Sequence, residues 1–131
     1  MNKKPRVLIA DDEEGIRESL RLILDRDYEV EVAANGEETL AKLAKGRFDL
    51  LLLDMKMPKL DGIAVMRQLK EQQIAVPVLV LTAYQSVEFA KEAVRLGARD
   101  YLSKPFERKD VLSAVRDALT SEEKTQSKSN V

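Results

Sequence analysis

The sequence of 131 residues contains no cysteine and no histidine. Without cysteine, the chain has no disulfide bonds and no thiolate metal or redox chemistry. Without histidine, it has no imidazole-ligated zinc, no Ser-His-Asp triad and no acid–base catalysis by histidine. Any chemistry must therefore use carboxylates, hydroxyls, amines and the backbone.

Long apolar segments and an excess of one charge are missing as well. No stretch approaches the length of a membrane span, and the apolar run at residues 7–10 is too short for a signal peptide. We therefore expect a cytoplasmic protein without membrane contacts. The 22 Lys and Arg against 23 Asp and Glu leave a net charge of −1, which argues against direct nucleic-acid binding.

Apolar runs alternate with amphipathic helical segments along the chain. The runs predict strands at residues 7–10, 28–32, 48–53, 78–81 and around 101–102, each followed by a helix. Strict alternation predicts an α/β fold with a parallel sheet and helices on both faces. We expect one domain over residues 1–120, followed by a polar C-terminal tail or linker stub at 121–131.

The polarity of the strands predicts their order in the sheet. Strands one, three and four are continuously apolar and should be central, whereas the second alternates and the fifth looks very short, as edge strands can. The doubly wound order 2-1-3-4-5 satisfies both requirements. It has a switch point between strands one and three, beyond whose carboxyl ends ligands bind.

Polar residues follow the carboxyl ends of four predicted strands. Asp11 and Asp12 follow the first, Asp54 the third, Thr82 the fourth and Lys104 the fifth. Three crowded carboxylates repel one another unless a proton or cation intervenes, and an incomplete oxygen-only ligand set suits Mg²⁺. A hydroxyl and an ammonium on the opposite side suit an anion. The pattern predicts a carboxylate that accepts a phosphoryl group beside a metal ion.

Residues 5 to about 120 resemble a response-regulator receiver domain of two-component signalling, with the doubly wound (βα)5 flavodoxin-like, CheY-like fold. The segments VLIADDEEGIR, LLLLDMKMPKLDG, VLVLTAY and DYLSKPF carry the resemblance. It implies that Asp54 is the phosphoacceptor. It also implies that Asp11, Asp12, Asp54 and the backbone carbonyl of Lys56 hold Mg²⁺, for which Mn²⁺ can substitute.

The resemblance assigns roles to residues of the fourth and fifth strands too. The Thr82 hydroxyl and the Lys104 ammonium would contact the phosphoryl oxygens. Tyr101 would be a switch residue that turns inward as Thr82 moves toward the phosphoryl group. Lys56 and Tyr84, each two residues beyond the acceptor or the threonine, should overhang the site and set the lifetime of the phosphorylated form.

The implied phosphodonor is a sensor histidine kinase, a histidine phosphotransfer protein or a small molecule such as acetyl phosphate. The implied activity is self-catalysed phosphorylation and dephosphorylation only. Two outputs stay open. A stand-alone receiver, like sporulation-type relay receivers, would signal to an effector protein through helix four, strand five and helix five, with phosphorylation-dependent dimerisation an option. Alternatively, the chain is the N-terminal regulatory domain of a longer transcriptional regulator, resembling receivers of σ54-dependent activators.

Two other functional classes fit the residues poorly. An aspartyl-phosphate phosphatase of the haloacid-dehalogenase type also phosphorylates a strand-end Asp, but it carries a second Asp where this chain has Lys56. A flavodoxin-like cofactor binder needs a first loop that cradles phosphate. The acidic loop that begins at Asp11 would repel that phosphate.

Overall fold

The computed structural model describes residues 3–83 and 87–129, with side chains for all of these but 87, 89 and 121–129. Within this part of the chain, five strands alternate with five helices. The strands are β1 (Arg6–Ala10), β2 (Glu29–Ala33), β3 (Leu50–Asp54), β4 (Val78–Ala83) and β5 (Asp100–Lys104). The helices are α1 (Glu14–Leu24), α2 (Gly36–Lys45), α3 (Gly62–Glu71), α4 (Val87–Arg95) and α5 (Arg108–Ser129).

The strands form one parallel sheet in the order β2-β1-β3-β4-β5, which confirms the predicted fold and strand order. Every residue of β3 is buried, as expected for a central strand covered on both faces. The prediction of a very short fifth strand was wrong, because β5 has five residues. Ser103 and Lys104 are polar, yet they continue to pair with β4 opposite Thr82 and Ala83.

Alternate residues of the central strands supply two separate apolar cores. One face of the sheet packs against α2, α3 and α4, and its strand residues are Leu8, Ala10, Leu51, Leu53, Val78 and Val80. The other face packs against α1 and α5, and its strand residues are Val7, Ile9, Leu50, Leu52, Leu79 and Leu81. Burying each Val, Leu or Ile side chain of these cores stabilises the fold by roughly 1.5–3 kcal/mol. These two cores fix the sheet rigidly, so the positions of its strand ends are fixed as well.

Helix α5 extends beyond Thr120, where the sequence predicts the start of a polar tail, and continues to Ser129. The segment after Thr120 contains neither Gly nor Pro, and its Glu, Lys and Gln residues favour helix. A domain boundary at residue 120 is therefore not marked by a helix end and stays a prediction. None of the described helices is both long enough and apolar enough to cross a membrane.

Candidate functional site

The polar residues singled out in the sequence converge at the carboxyl edge of the sheet. Asp54 and Lys104 are the last residues of β3 and β5, and Thr82 is the second-last residue of β4. Asp11 and Asp12 follow β1 directly, and β1 lies next to β3. Because the strands are parallel, all of these residues lie at one edge, as the sequence predicts.

Asp11, Asp12 and Asp54 form a cluster of carboxylates. One oxygen of each lies within 4.8 Å of those of the other two, a spacing that a single cation could bridge. Asp11 is fully buried and Asp54 is 4 % exposed, whereas Asp12 faces solvent. The Asp11 Oδ1 atom accepts a hydrogen bond of 2.9 Å from the backbone N–H of Glu13. Carboxylate oxygens gathered at this spacing, two of them buried, are the kind of ligand set that a hard cation satisfies.

Lys104 faces this cluster from β5. Its Nζ atom lies 2.8 Å from Asp11 Oδ2, 3.5 Å from Glu13 Oε1 and 3.6 Å from Asp54 Oδ1. The short contact to Asp11 is an ion pair between a fully buried carboxylate and a largely buried ammonium. Burial lowers the pKa of Lys104, but the three carboxylates outweigh it and raise the pKa above its ordinary value. The side chain is therefore a fixed positive charge at neutral pH.

The carboxyl group of Asp54 is strongly perturbed. Burial, followed by repulsion from Asp11, raises its pKa from 3.8 to about 7. The Lys104 charge opposes this rise, as does the backbone N–H of Lys56, which donates a hydrogen bond of 3.3 Å to Asp54 Oδ1. Asp54 is thus a desolvated carboxylate that gains from any nearby positive charge.

A cavity of about 230 Å³ opens above Asp54. Its walls are Asp12, Glu13, Asp54, Met55, Lys56, Thr82, Ala83 and Lys104. The buried hydroxyl of Thr82 donates a hydrogen bond of 3.1 Å to the Ala83 carbonyl. The cavity thus combines carboxylates with a hydroxyl and an ammonium, a set that suits a phosphoryl-sized anion bound to Asp54.

Tyr101, which the sequence predicts as a switch residue, stands apart from this group. Tyr101 lies on β5 with 38 % of its surface exposed and does not line the cavity. Tyr84 lies outside the described residues. The roles assigned to Tyr101, Tyr84 and the cavity residues stay predictions.

Sequence reasoning missed Glu13. The residue lines the cavity and its carboxylate reaches Lys104, although it precedes α1 and is separated from Lys104 by most of the chain. Its position directly after the two aspartates was the available signal. In the sequence, Glu13 is recognisable only as one member of an acidic run.

The loop between β3 and α3 is held closely against the site. A Cβ atom on Gly62 would lie 2.8 Å from the Asp54 carbonyl oxygen and 2.9 Å from the Met55 Cα atom. Asp61 caps α3 by accepting a hydrogen bond of 2.9 Å from the Ala64 backbone N–H. Glycine is therefore required where α3 begins, because it lets the helix start directly beside the end of β3.

Comparisons with known proteins agree with this geometry. Residues 7–116 match the family model described as the response regulator receiver domain. The chain is 45% identical over 121 residues to the alkaline phosphatase synthesis transcriptional regulatory protein PhoP of Bacillus subtilis, a match that covers 91% of this chain and 49% of PhoP. It is 44% identical over 115 residues to the response regulator MprA of Mycobacterium avium, covering 87% of this chain and 50% of MprA.

Solved structures show the same similarity. A response regulator receiver domain protein from Clostridium thermocellum superposes with a TM-score of 0.83 at 30% identity, over 91% of this chain and 97% of that one. The chain spans about half the length of the curated relatives it matches.

The raised pKa of Asp54 predicts a pH-dependent stability. In metal-free buffer the unfolded chain loses the Asp54 proton near pH 4, whereas the folded protein keeps it to about pH 7. The stabilisation due to this group is therefore complete below pH 4 and lost as the pH rises to 7. Asp54→Asn cannot titrate, so its free energy of unfolding should rise relative to wild type across this window, by up to about 4 kcal/mol. Urea unfolding of both proteins from pH 4 to 8 measures the difference, and parallel curves would contradict the raised pKa.

Proposed function

The chain belongs to the response regulator receiver domain family, and from this premise we propose that Asp54 accepts a phosphoryl group in a signalling reaction. One observation carries the assignment to this residue. The Asp54 carboxylate lies at a cavity between the acidic pair of the β1–α1 loop and the Lys104 ammonium. Phosphoryl transfer requires positioning and neutralisation of charge more than a strong base, and this arrangement supplies both.

A divalent cation fits the carboxylate side of the cavity. Asp11, Asp12 and Asp54 would hold it together with the backbone carbonyl of Lys56, and Mg²⁺ is the hard cation that such oxygens favour, with Mn²⁺ able to substitute. Once bound, Mg²⁺ would neutralise negative charge on the phosphoryl oxygens. The spacing of the three carboxylates and the burial of two of them support this assignment.

The residues of this chain would carry the transfer as follows. An oxygen of Asp54 attacks phosphorus, a new P–O bond forms, and the bond from phosphorus to the donor breaks, with the electron pair leaving on the donor. Lys104 contacts one phosphoryl oxygen, and the Thr82 hydroxyl turns from the Ala83 carbonyl to donate to another. The phosphorylated carboxylate is later hydrolysed at the same site, so the chain turns over no separate substrate.

The donor would be a sensor histidine kinase or a histidine phosphotransfer protein, with acetyl phosphate as a small substitute. The chain contains no histidine, so a phosphohistidine must come from another molecule. This partner and a cytoplasmic location are part of the proposal.

Two outputs are consistent with the receiver. In the first, the surface of α4, β5 and α5 binds an effector protein or a second copy after phosphorylation. In the second, residues 1–120 are the regulatory domain of a longer transcriptional regulator and 121–131 begin its linker. The second output is favoured because the curated relatives are about twice as long as the segment that matches this chain. One of them is named a transcriptional regulatory protein.

Phosphorylation of Asp54 is tested by intact-protein and peptide mass spectrometry after incubation with acetyl phosphate and Mg²⁺. Wild type should gain one phosphoryl group on the peptide that contains Asp54, and Asp54→Asn should gain none. Omitting Mg²⁺ or replacing Asp12 with Ala should reduce incorporation strongly.

Asp49→Asn is the matched control for this experiment. Asp49 precedes the opposite end of β3, and its carboxylate accepts a hydrogen bond of 2.8 Å from the Arg6 backbone N–H, which an amide oxygen can replace. Its labelling should equal that of wild type. Full-rate labelling of Asp54→Asn would refute Asp54 as the acceptor.

The lifetime of the phosphorylated form should depend on Lys56. Its exposed side chain lies at the mouth of the cavity, where we expect it, with Tyr84, to screen the phosphoryl group from attacking water. The aspartyl phosphate of Lys56→Ala should therefore hydrolyse several-fold faster than that of wild type after the donor has been removed. Lys59→Ala, in the same loop but paired with Glu37 outside the cavity, controls for loss of charge. Equal lifetimes for the two variants would contradict this role.

Tyr101 should change its environment on phosphorylation. Its ring is 38 % exposed, and we expect it to turn inward when Thr82 moves toward the phosphoryl group. NMR of the Tyr101 ring with and without beryllofluoride, a phosphoryl mimic, measures the change, and Asp54→Asn serves as the control. An unchanged Tyr101 signal in wild type that binds beryllofluoride would reject the switch.

A further inference from the structure

Glu13 places a third acidic side chain against Lys104. Its Oε1 atom lies 3.5 Å from the Lys104 Nζ atom, nearly the same distance as Asp54 Oδ1 at 3.6 Å. Unlike Asp11 and Asp54, which are buried, Glu13 has 64 % of its side chain exposed. It therefore lies on the outer side of the ammonium, at the entrance to the cavity above Asp54.

The side chain of Glu13 has no structural use that explains this position. The residue is the N-cap of α1, but its side chain makes no capping hydrogen bond. The local hydrogen bonds of Glu13 are made by its backbone: its N–H donates to Asp11 Oδ1, and its carbonyl accepts from the Arg17 N–H. An exposed ion pair contributes little to stability. What the carboxylate changes is the charge at the cavity entrance and the position of the Lys104 ammonium.

Glu13 and an arriving phosphoryl group would compete for the same cation. The ammonium of Lys104 must contact a phosphoryl oxygen during transfer, yet Glu13 holds it from the entrance side. The Glu13 carboxylate also repels the negative charge of the donor as it enters the cavity. Both effects act in one direction, against the transfer.

We propose that Glu13 is a positioning residue that slows phosphorylation by holding the Lys104 ammonium away from the incoming phosphoryl group. The proposal rests on the proposed function of Asp54. With acetyl phosphate, the bond between phosphorus and the acetyl oxygen breaks, acetate leaves with the electron pair, and the P–O bond to Asp54 forms. During this step Lys104 releases Glu13 and turns to the phosphoryl oxygen, so the ion pair adds to the barrier.

The test compares the initial rates of acetyl phosphate labelling of wild type, Glu13→Gln and Glu14→Gln at saturating Mg²⁺. Glu14 is the matched control, because it is the next residue, is exposed, and belongs to the first turn of α1, but does not line the cavity. Glu13→Gln should label Asp54 about 1.4-fold to fivefold faster than wild type, the range expected for one exposed charge pair. Glu14→Gln should label at the wild-type rate.

A second readout follows Lys104 directly. The side-chain NMR signals of Lys104 in the unphosphorylated protein should shift in Glu13→Gln and stay in place in Glu14→Gln. A merely structural ion pair would shift these signals as well but leave the labelling rate unchanged. Equal rates for the two variants, or unshifted Lys104 signals in Glu13→Gln, would overturn the proposal. If instead the wild-type label maps to a residue other than Asp54, the proposed function itself fails, whatever Glu13 does.

Discussion

The ion pairs of Lys104 with Asp11 and Asp54 are the interactions on which this site depends. Three carboxylates within 4.8 Å repel one another, and two of them are almost completely buried. The Lys104 ammonium, 2.8 Å from Asp11 and 3.6 Å from Asp54, offsets part of that repulsion and is brought there from the far edge of the sheet. Burial, followed by the remaining repulsion from Asp11, still raises the pKa of Asp54. The folded protein therefore has an excess of negative charge at this site, which a further positive charge would stabilise.

The position of Asp54 in the sheet explains why its carboxylate is stabilised by a nearby positive charge. Asp54 is desolvated because β3 lies between β1 and β4 and is covered by helices on both faces. A carboxylate at the end of an edge strand would stay hydrated and keep an ordinary pKa. Gly62 completes the enclosure, since only a residue without a Cβ atom lets α3 begin against the Asp54 carbonyl. The raised pKa of Asp54 thus follows from the same apolar packing that stabilises the fold.

Much of this arrangement could be predicted from the sequence, because parallel strands bring their carboxyl ends to one edge. The positions of Asp54 and Lys104 could be predicted even though both strands run farther than their apolar residues suggest. The pattern of apolar residues locates the buried part of a strand. The backbone pairing of the strand, however, continues through polar residues such as Ser103. Glu13 could not be predicted, since its contact depends on how far a side chain reaches from a helix end toward β5. The extent of α5 was missed because a polar segment without Gly or Pro carries no stop signal.

A proton and a divalent cation would compete for the same carboxylate. In the proposed reaction Asp54 would have to be ionised to attack phosphorus, yet burial and Asp11 raise its pKa to about 7, so near neutral pH a substantial fraction carries a proton without a metal. A cation held by the three carboxylates would displace that proton, because it favours the charged form. The same cation would therefore activate the nucleophile and neutralise the group it attacks. In the proposed reaction, a buried carboxylate that is only partly ionised without metal would depend on the metal, and this dependence would arise from the position of Asp54 at the end of a central strand.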